Sequence, residues 1–113
     1  MTVVFVGMRI LFDHGTPAPL RHALAGQEVV TAYEMGWADL ANGDLLNAAE
    51  AQQFAVLVTT DKNLQYQQNL AGRKIAIFVL PFASWSRLQP HTPALATAIG
   101  ALLPGDFVEW ALP

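Results

Sequence analysis

At 113 residues, with 53% apolar and 13% charged side chains and a formal net charge of −3, the chain is long enough for one hydrophobic core and not for two. Intrinsic disorder is excluded, because disordered chains carry little apolar bulk and much charge, whereas an ordinary soluble domain already carries about 25% charged residues. The basic residues Arg9, Arg21, Lys62, Arg73, Lys74 and Arg87 form no stripe, which excludes the footprint of a strong autonomous nucleic-acid binder.

In chain order, the apolar run Met8-Arg9-Ile10-Leu11-Phe12 predicts a strand that ends at Asp13-His14-Gly15. Pro17 and Pro19 then open a helix through Leu20, Ala23 and Leu24, closed by Gly26. The β-branched run Val29-Val30-Thr31 inside Glu28 to Ala32 predicts a second strand. After a turn at Gly36-Trp37, Asn42-Gly43-Asp44 precedes Leu45, Leu46, Ala48, Ala49 and Phe54, an apolar stripe with acid near its start, as in a helix. Ala55 to Thr60 runs apolar and β-branched into Asp61, like a strand buried on both faces.

Asn63 to Leu70 predicts a short helix, and Ile75 to Leu80 a fourth buried strand stopped by Pro81. Alanine and leucine at helical spacing mark Pro93 to Leu103, and Phe107-Val108-Glu109-Trp110 reads as an edge strand. Strands alternating with helices imply an α/β fold, a three-layer doubly wound sheet that is mostly parallel, ordered 2-1-3-4 with an antiparallel fifth strand at one edge.

The apolar runs Val3 to Phe12, broken by Arg9, and Ile75 to Ala83, holding Pro81, are too short to span a bilayer. The amino end lacks the basic region and cleavage site of a secretory signal, so no membrane or export role is expected. With no cysteine, disulfides and thiolate metal sites are excluded, and a reducing cytoplasm is the expected location. The high apolar content predicts an exposed self-association patch, with a homodimer as the simplest outcome.

Asp13 and Asp61 each follow directly on a buried strand. In an open parallel sheet, ligands bind beyond the carboxyl ends of the strands, where the strand order reverses. Two carboxylates brought together there repel unless a cation or proton lies between them, and hard oxygen donors of this kind suit Mg²⁺ or Mn²⁺. The competing reading is that each aspartate caps the turn after its strand. His14 is either a ligand or proton shuttle, or a turn residue bonded to backbone. Glu34 and Asp39, in the turn region after strand two, either supply a further acid to the site or, as loop carboxylates usually do, stay solvated. Trp37, Trp85, Trp110 and Tyr66 could stack bases, but aromatics in so apolar a chain more often fill cores or interfaces, and a dimer contact is expected for Trp85 and Trp110.

The chain resembles the PIN-like domains related to VapC-type toxin ribonucleases, over most of Met8 to Leu80 and as a single domain spanning 1–113. Residues 1–7 form an extension that either lengthens strand one or pairs across a dimer. The resemblance is carried by Ile10-Leu11-Phe12-Asp13, Leu20, Leu24, Gly26-Gln27-Glu28-Val29, Leu45-Leu46-Asn47-Ala48-Ala49 and Val58-Thr59-Thr60-Asp61-Lys62-Asn63-Leu64. It implies an acidic cluster holding Mg²⁺ or Mn²⁺ that cleaves single-stranded RNA, and an antitoxin-like protein partner. Asp13 and Asp61 match the first and last acidic positions. Asp44 would substitute for an acid usually found where Asn42 stands, and Asn63 stands where a second late acid is common. Lys62, Asn63 and His14 would meet the RNA. The alternative is a catalytically silent binding or regulatory module. A phospho-acceptor domain is a third reading, weakened by a single acid after strand one and the lack of a lysine at the end of strand four.

Overall fold

The computed structural model describes residues 7–64 and 70–112. Five strands form one sheet: β1 (Arg9–Phe12), β2 (Glu28–Thr31), β3 (Val56–Thr59), β4 (Ala76–Val79) and β5 (Phe107–Glu109), in the order β2-β1-β3-β4-β5. Every neighbouring pair is parallel. The expected antiparallel fifth strand is therefore corrected. The chain crosses back over the sheet between β4 and β5 through helical segments, and such a return delivers the next strand in the same direction.

Three layers follow from side-chain alternation. Ile10, Phe12, Val56, Val58, Ala76 and Phe78 point to one face, and Leu11, Leu57, Ile77 and Val79 to the other. The first face is covered by a 3₁₀ segment (Ala18–Ala23), the short helix α2 (Trp85–Leu88), a 3₁₀ turn (Gln89–His91) and α3 (Thr92–Gly100). On the second face lies α1 (Asn42–Ala51), through Leu45, Leu46 and Ala49. All residues of β3 and β4 are buried, whereas β2 is half-covered at its edge. Full burial of one large apolar side chain such as Phe12 or Phe78 stabilises by roughly 1.5–3 kcal/mol.

The first helix expected from sequence is 3₁₀ instead of α. Pro17 and Pro19 lack N–H groups, and i→i+3 bonds close the segment, from Leu20 N–H to Pro17 O and from Leu24 N–H to Arg21 O, both at 3.1 Å. α1 ends in a Schellman arrangement: Gln53 N–H donates to Glu50 O (3.0 Å) and Phe54 N–H to Ala49 O (2.9 Å). That geometry puts Gln53 at φ +63°, where glycine is the usual occupant. α2 and the 3₁₀ turn after it fall in a stretch for which the sequence predicted no element. The helix expected over Asn63 to Leu70, the ring of Tyr66 and most of the extension at 1–7 lie outside the described residues.

Much of the apolar content consists of alanine. Among the described residues, the core absorbs nearly all the large side chains, and Tyr33, Leu103 and Leu112 are the large exposed hydrophobics. Tyr33 and Leu103 sit at opposite ends of the sheet, so they do not make a contiguous patch. Trp85 and Trp110 are half-buried against the protein's own core, Trp110 with its ring 6.5 Å from that of Phe78. Among the described residues, no helix is long and apolar enough to cross a membrane.

Candidate metal centre

The carboxyl ends of β1 and β3 meet at the point where the strand order reverses. Their register sets Phe12 beside Val58, and the ladder continues one step further, with Asp13 N–H donating to Val58 O at 2.9 Å. Asp13 thus lies beside the last residue of β3, Thr59, which is fully buried and, among the described residues, the only buried polar side chain. The Thr59 hydroxyl donates to Asp13 Oδ2 at 2.8 Å and accepts from Asp61 N–H at 3.1 Å. One hydroxyl therefore links the first carboxylate to the backbone of the second.

The remaining carboxylate oxygens are held as well. Asp13 Oδ1 accepts from His14 N–H (2.7 Å), Asp61 Oδ1 from Asn63 N–H (2.9 Å) and Asp61 Oδ2 from Asn42 Nδ2 (3.0 Å). Each oxygen carries a second lone pair, so these bonds orient the carboxylates without exhausting them as ligands. Below them, the Thr16 hydroxyl anchors the β1 loop on Val58 O (2.9 Å). Gly15 turns that loop at φ +79°, where an added Cβ would stand 3.1 Å from Thr60 Oγ1.

The expected residues are not all gathered. Asp13, Asp61, Asn63 and, through Nδ1 at 3.3 Å from Asp13 Oδ1, His14 belong to the network. Asp44 is exposed, two residues beyond Asn42 on α1. Two helical steps rotate a side chain by roughly 200°, so the turn that aims Asn42 at Asp61 carries Asp44 to the far side. Among the described residues, no three acids or histidines are arranged to hold a metal. Two carboxylates remain, and Mg²⁺ characteristically takes one or two carboxylates with waters and substrate phosphates completing its shell. The donor set fits such an ion.

Lys62 is exposed beside the site. Three arginines are engaged within the fold: Arg9 with Glu28, Arg21 with Glu34 and Arg73 with Glu50, while Arg87 stacks on Phe82. Glu34 closes a reciprocal cap on the turn after β2, taking Thr31 N–H at 2.9 Å while its own N–H donates to Thr31 Oγ1 at 3.0 Å. The Arg21 guanidinium, then the Thr31 N–H, lower its pKa from 4.5 to about 2. Asp39 is exposed, and Trp37 packs edge-on against Phe54 at 6.0 Å.

Sequence reasoning missed Thr59 as a site residue, since a threonine in a β-branched run reads as ordinary strand. Its signal is position: a hydroxyl at the end of a strand buried on both faces needs a partner, and the loop acids supply it. Two cavities flank the sheet ends. One of about 310 Å³ lies between the β1 and β2 loops, with Asp13, His14, Thr16, Thr31 and Tyr33 in its wall. A larger one of about 540 Å³ lies at the amino ends, between Met8, Phe54, Val56, Ile75 and Leu103. No family model matches this chain, and no curated protein or solved structure does so either.

Proposed function

We propose that this protein is a PIN-like, metal-dependent ribonuclease that holds Mg²⁺ or Mn²⁺ on Asp13 and Asp61 and acts on single-stranded RNA. The observation that carries the reading is the Thr59 hydroxyl, which locks the two aspartates to one another at the strand-order switch, where α/β sheets bind ligands. When bound, the cation neutralises phosphate charge and polarises the scissile phosphodiester. The chain's own groups do the positioning. Thr59 and the His14 N–H aim Asp13, Asn42 and the Asn63 N–H aim Asp61, and exposed Lys62 can approach a phosphate oxygen as a point charge.

The test is Mn²⁺-dependent cleavage of single-stranded RNA by the parent protein beside Asp13→Asn and Asp61→Asn. Cleavage falls by more than about 100-fold in each variant, because even residues that merely orient metal ligands cost 10–100-fold when removed. Equal cleavage by all three proteins would identify a contaminant and sink the proposal.

A second reading, a catalytically silent PIN-like binding module, is favoured by one observation: an amide, Asn42, faces Asp61 where the acidic cluster expects a carboxylate. Calorimetric Mn²⁺ binding that is lost in Asp13→Asn, with no cleavage by the parent, selects it.

A further inference from the structure

We infer that Tyr33 is a stacking platform for one nucleobase of the single-stranded RNA, which enters the cavity beside Asp13. The inference rests on the RNA reading above and adds a recognition residue to it. Tyr33 is 80% exposed, whereas the ring of Trp37 packs on Phe54 and that of Trp110 on Phe78. It is the most exposed large hydrophobic side chain among the described residues, and it stands in the wall of the 310 Å³ cavity that Asp13 also lines. That volume lies at the lower end of ordinary ligand pockets, ~300–1,000 Å³.

The cavity's chemistry suits a base. Ala18 and the Tyr33 ring itself give it an apolar part, and Thr16, Thr31 and His14 place polar groups along its wall for a base edge. The turn that carries Tyr33 is held by the reciprocal Thr31–Glu34 cap and by the Arg21–Glu34 ion pair, so the ring is presented from a braced loop. Ordering it for a ligand then costs little.

The charge distribution argues in the same direction. A chain of net charge −3, with Arg9, Arg21 and Arg73 engaged in internal ion pairs, cannot draw affinity from a basic groove. Stacking is the sequence-tolerant source of affinity that remains beside a cation bridging to phosphate, and an exposed tyrosine in the same cavity wall as Asp13 provides it. A base can lie on such a ring only if it is free of a duplex, which fits the site to single strands.

The test measures binding of a short fluorescein-labelled single-stranded RNA by anisotropy, in Ca²⁺ as a hard cation taking oxygen ligands. The parent, Tyr33→Ala and Tyr33→Phe are compared, with Mn²⁺ calorimetry on each and a blunt RNA duplex as second ligand. Tyr33→Ala weakens single-strand binding by about 5- to 100-fold, as expected for one lost base–aromatic stack. Tyr33→Phe stays within about twofold of the parent, since the ring and not the hydroxyl stacks. Mn²⁺ binding is the same in all three.

If Tyr33→Ala binds the single strand as tightly as the parent, the stacking role is overturned while the RNA reading stands. The same result follows if it loses duplex and single strand equally. If the parent binds no single-stranded RNA although Mn²⁺ binds, both fall together.

Discussion

The two ends of the sheet are built from different materials. At the carboxyl end, Asp13, Thr59, Asp61, Asn42 and Asn63 form a continuous hydrogen-bonded network over a fully buried strand. At the amino end, Phe54 fills the space under α1, with the Trp37 ring edge-on and the Arg9 guanidinium 4.1 Å above its face, beside an open apolar cavity. The larger cavity is at the amino end, and the proposed cation site is beside the smaller one at the other. Labour is divided along the strands: apolar packing dominates one end and polar hydrogen bonding the other.

That division is open to breakage. Phe54→Ala removes a buried ring from the amino end and lowers the free energy of unfolding by about 3–5 kcal/mol, read from urea denaturation. At a temperature where the variant remains folded, its Mn²⁺ affinity stays within about twofold of the parent's; a large loss would show that the two ends are coupled. Thr59→Val makes the opposite cut. It keeps the β-branched shape but removes the hydroxyl, so Mn²⁺ affinity falls by roughly 10–100-fold and stability by about 1–3 kcal/mol, since Asp61 N–H is left without that acceptor.

Two smaller effects sharpen the boundary. Because the folded pKa of Glu34 is depressed from 4.5 to about 2, its contribution is fully present above 4.5 and is lost as pH falls toward 2. The stability difference between the parent and Glu34→Gln therefore shrinks across that window, measured by thermal melts over a pH series. A difference unchanged across it would show that the Arg21 pair does not depress this carboxyl. Gln53→Gly removes the left-handed cost of about 1–2 kcal/mol at the end of α1 against an entropic loss of about 0.5–1 kcal/mol, so stability rises slightly, without altering Mn²⁺ binding.

The central strands were legible because β1, β3 and β4 are apolar on both faces, and parallel strands buried in this way leave continuous apolar runs. Asp13 and Asp61 were legible for the same reason: each is the first acid after such a run. The direction of β5 was not, because Phe107 to Glu109 is three residues long and a short edge strand can pair either way. The 3₁₀ segment was read as α-helix because Leu20, Ala23 and Leu24 suit both periods. Asp44 is a subtler case. In sequence it is as near the site as Asn42, but on a helix two residues separate opposite sides. Proximity along the chain suggested a ligand, whereas on the helix Asp44 is exposed and about 200° round the axis from Asn42.

The uniform direction of the ladder also governs how the molecule comes to exist. Among the described strands no two are joined by a hairpin, so each pairing, from Ile10 on Val29 to Ile77 on Phe107, must close a long loop before it is rewarded. Chains dominated by such contacts fold in milliseconds or slower. The two aspartates sit where β1 and β3 finish zipping together, a pairing between distant parts of the chain. If the proposed cation site holds, its affinity emerges only once that pairing is complete, so that a metal titration during refolding would serve as a clock for closure of β1 on β3.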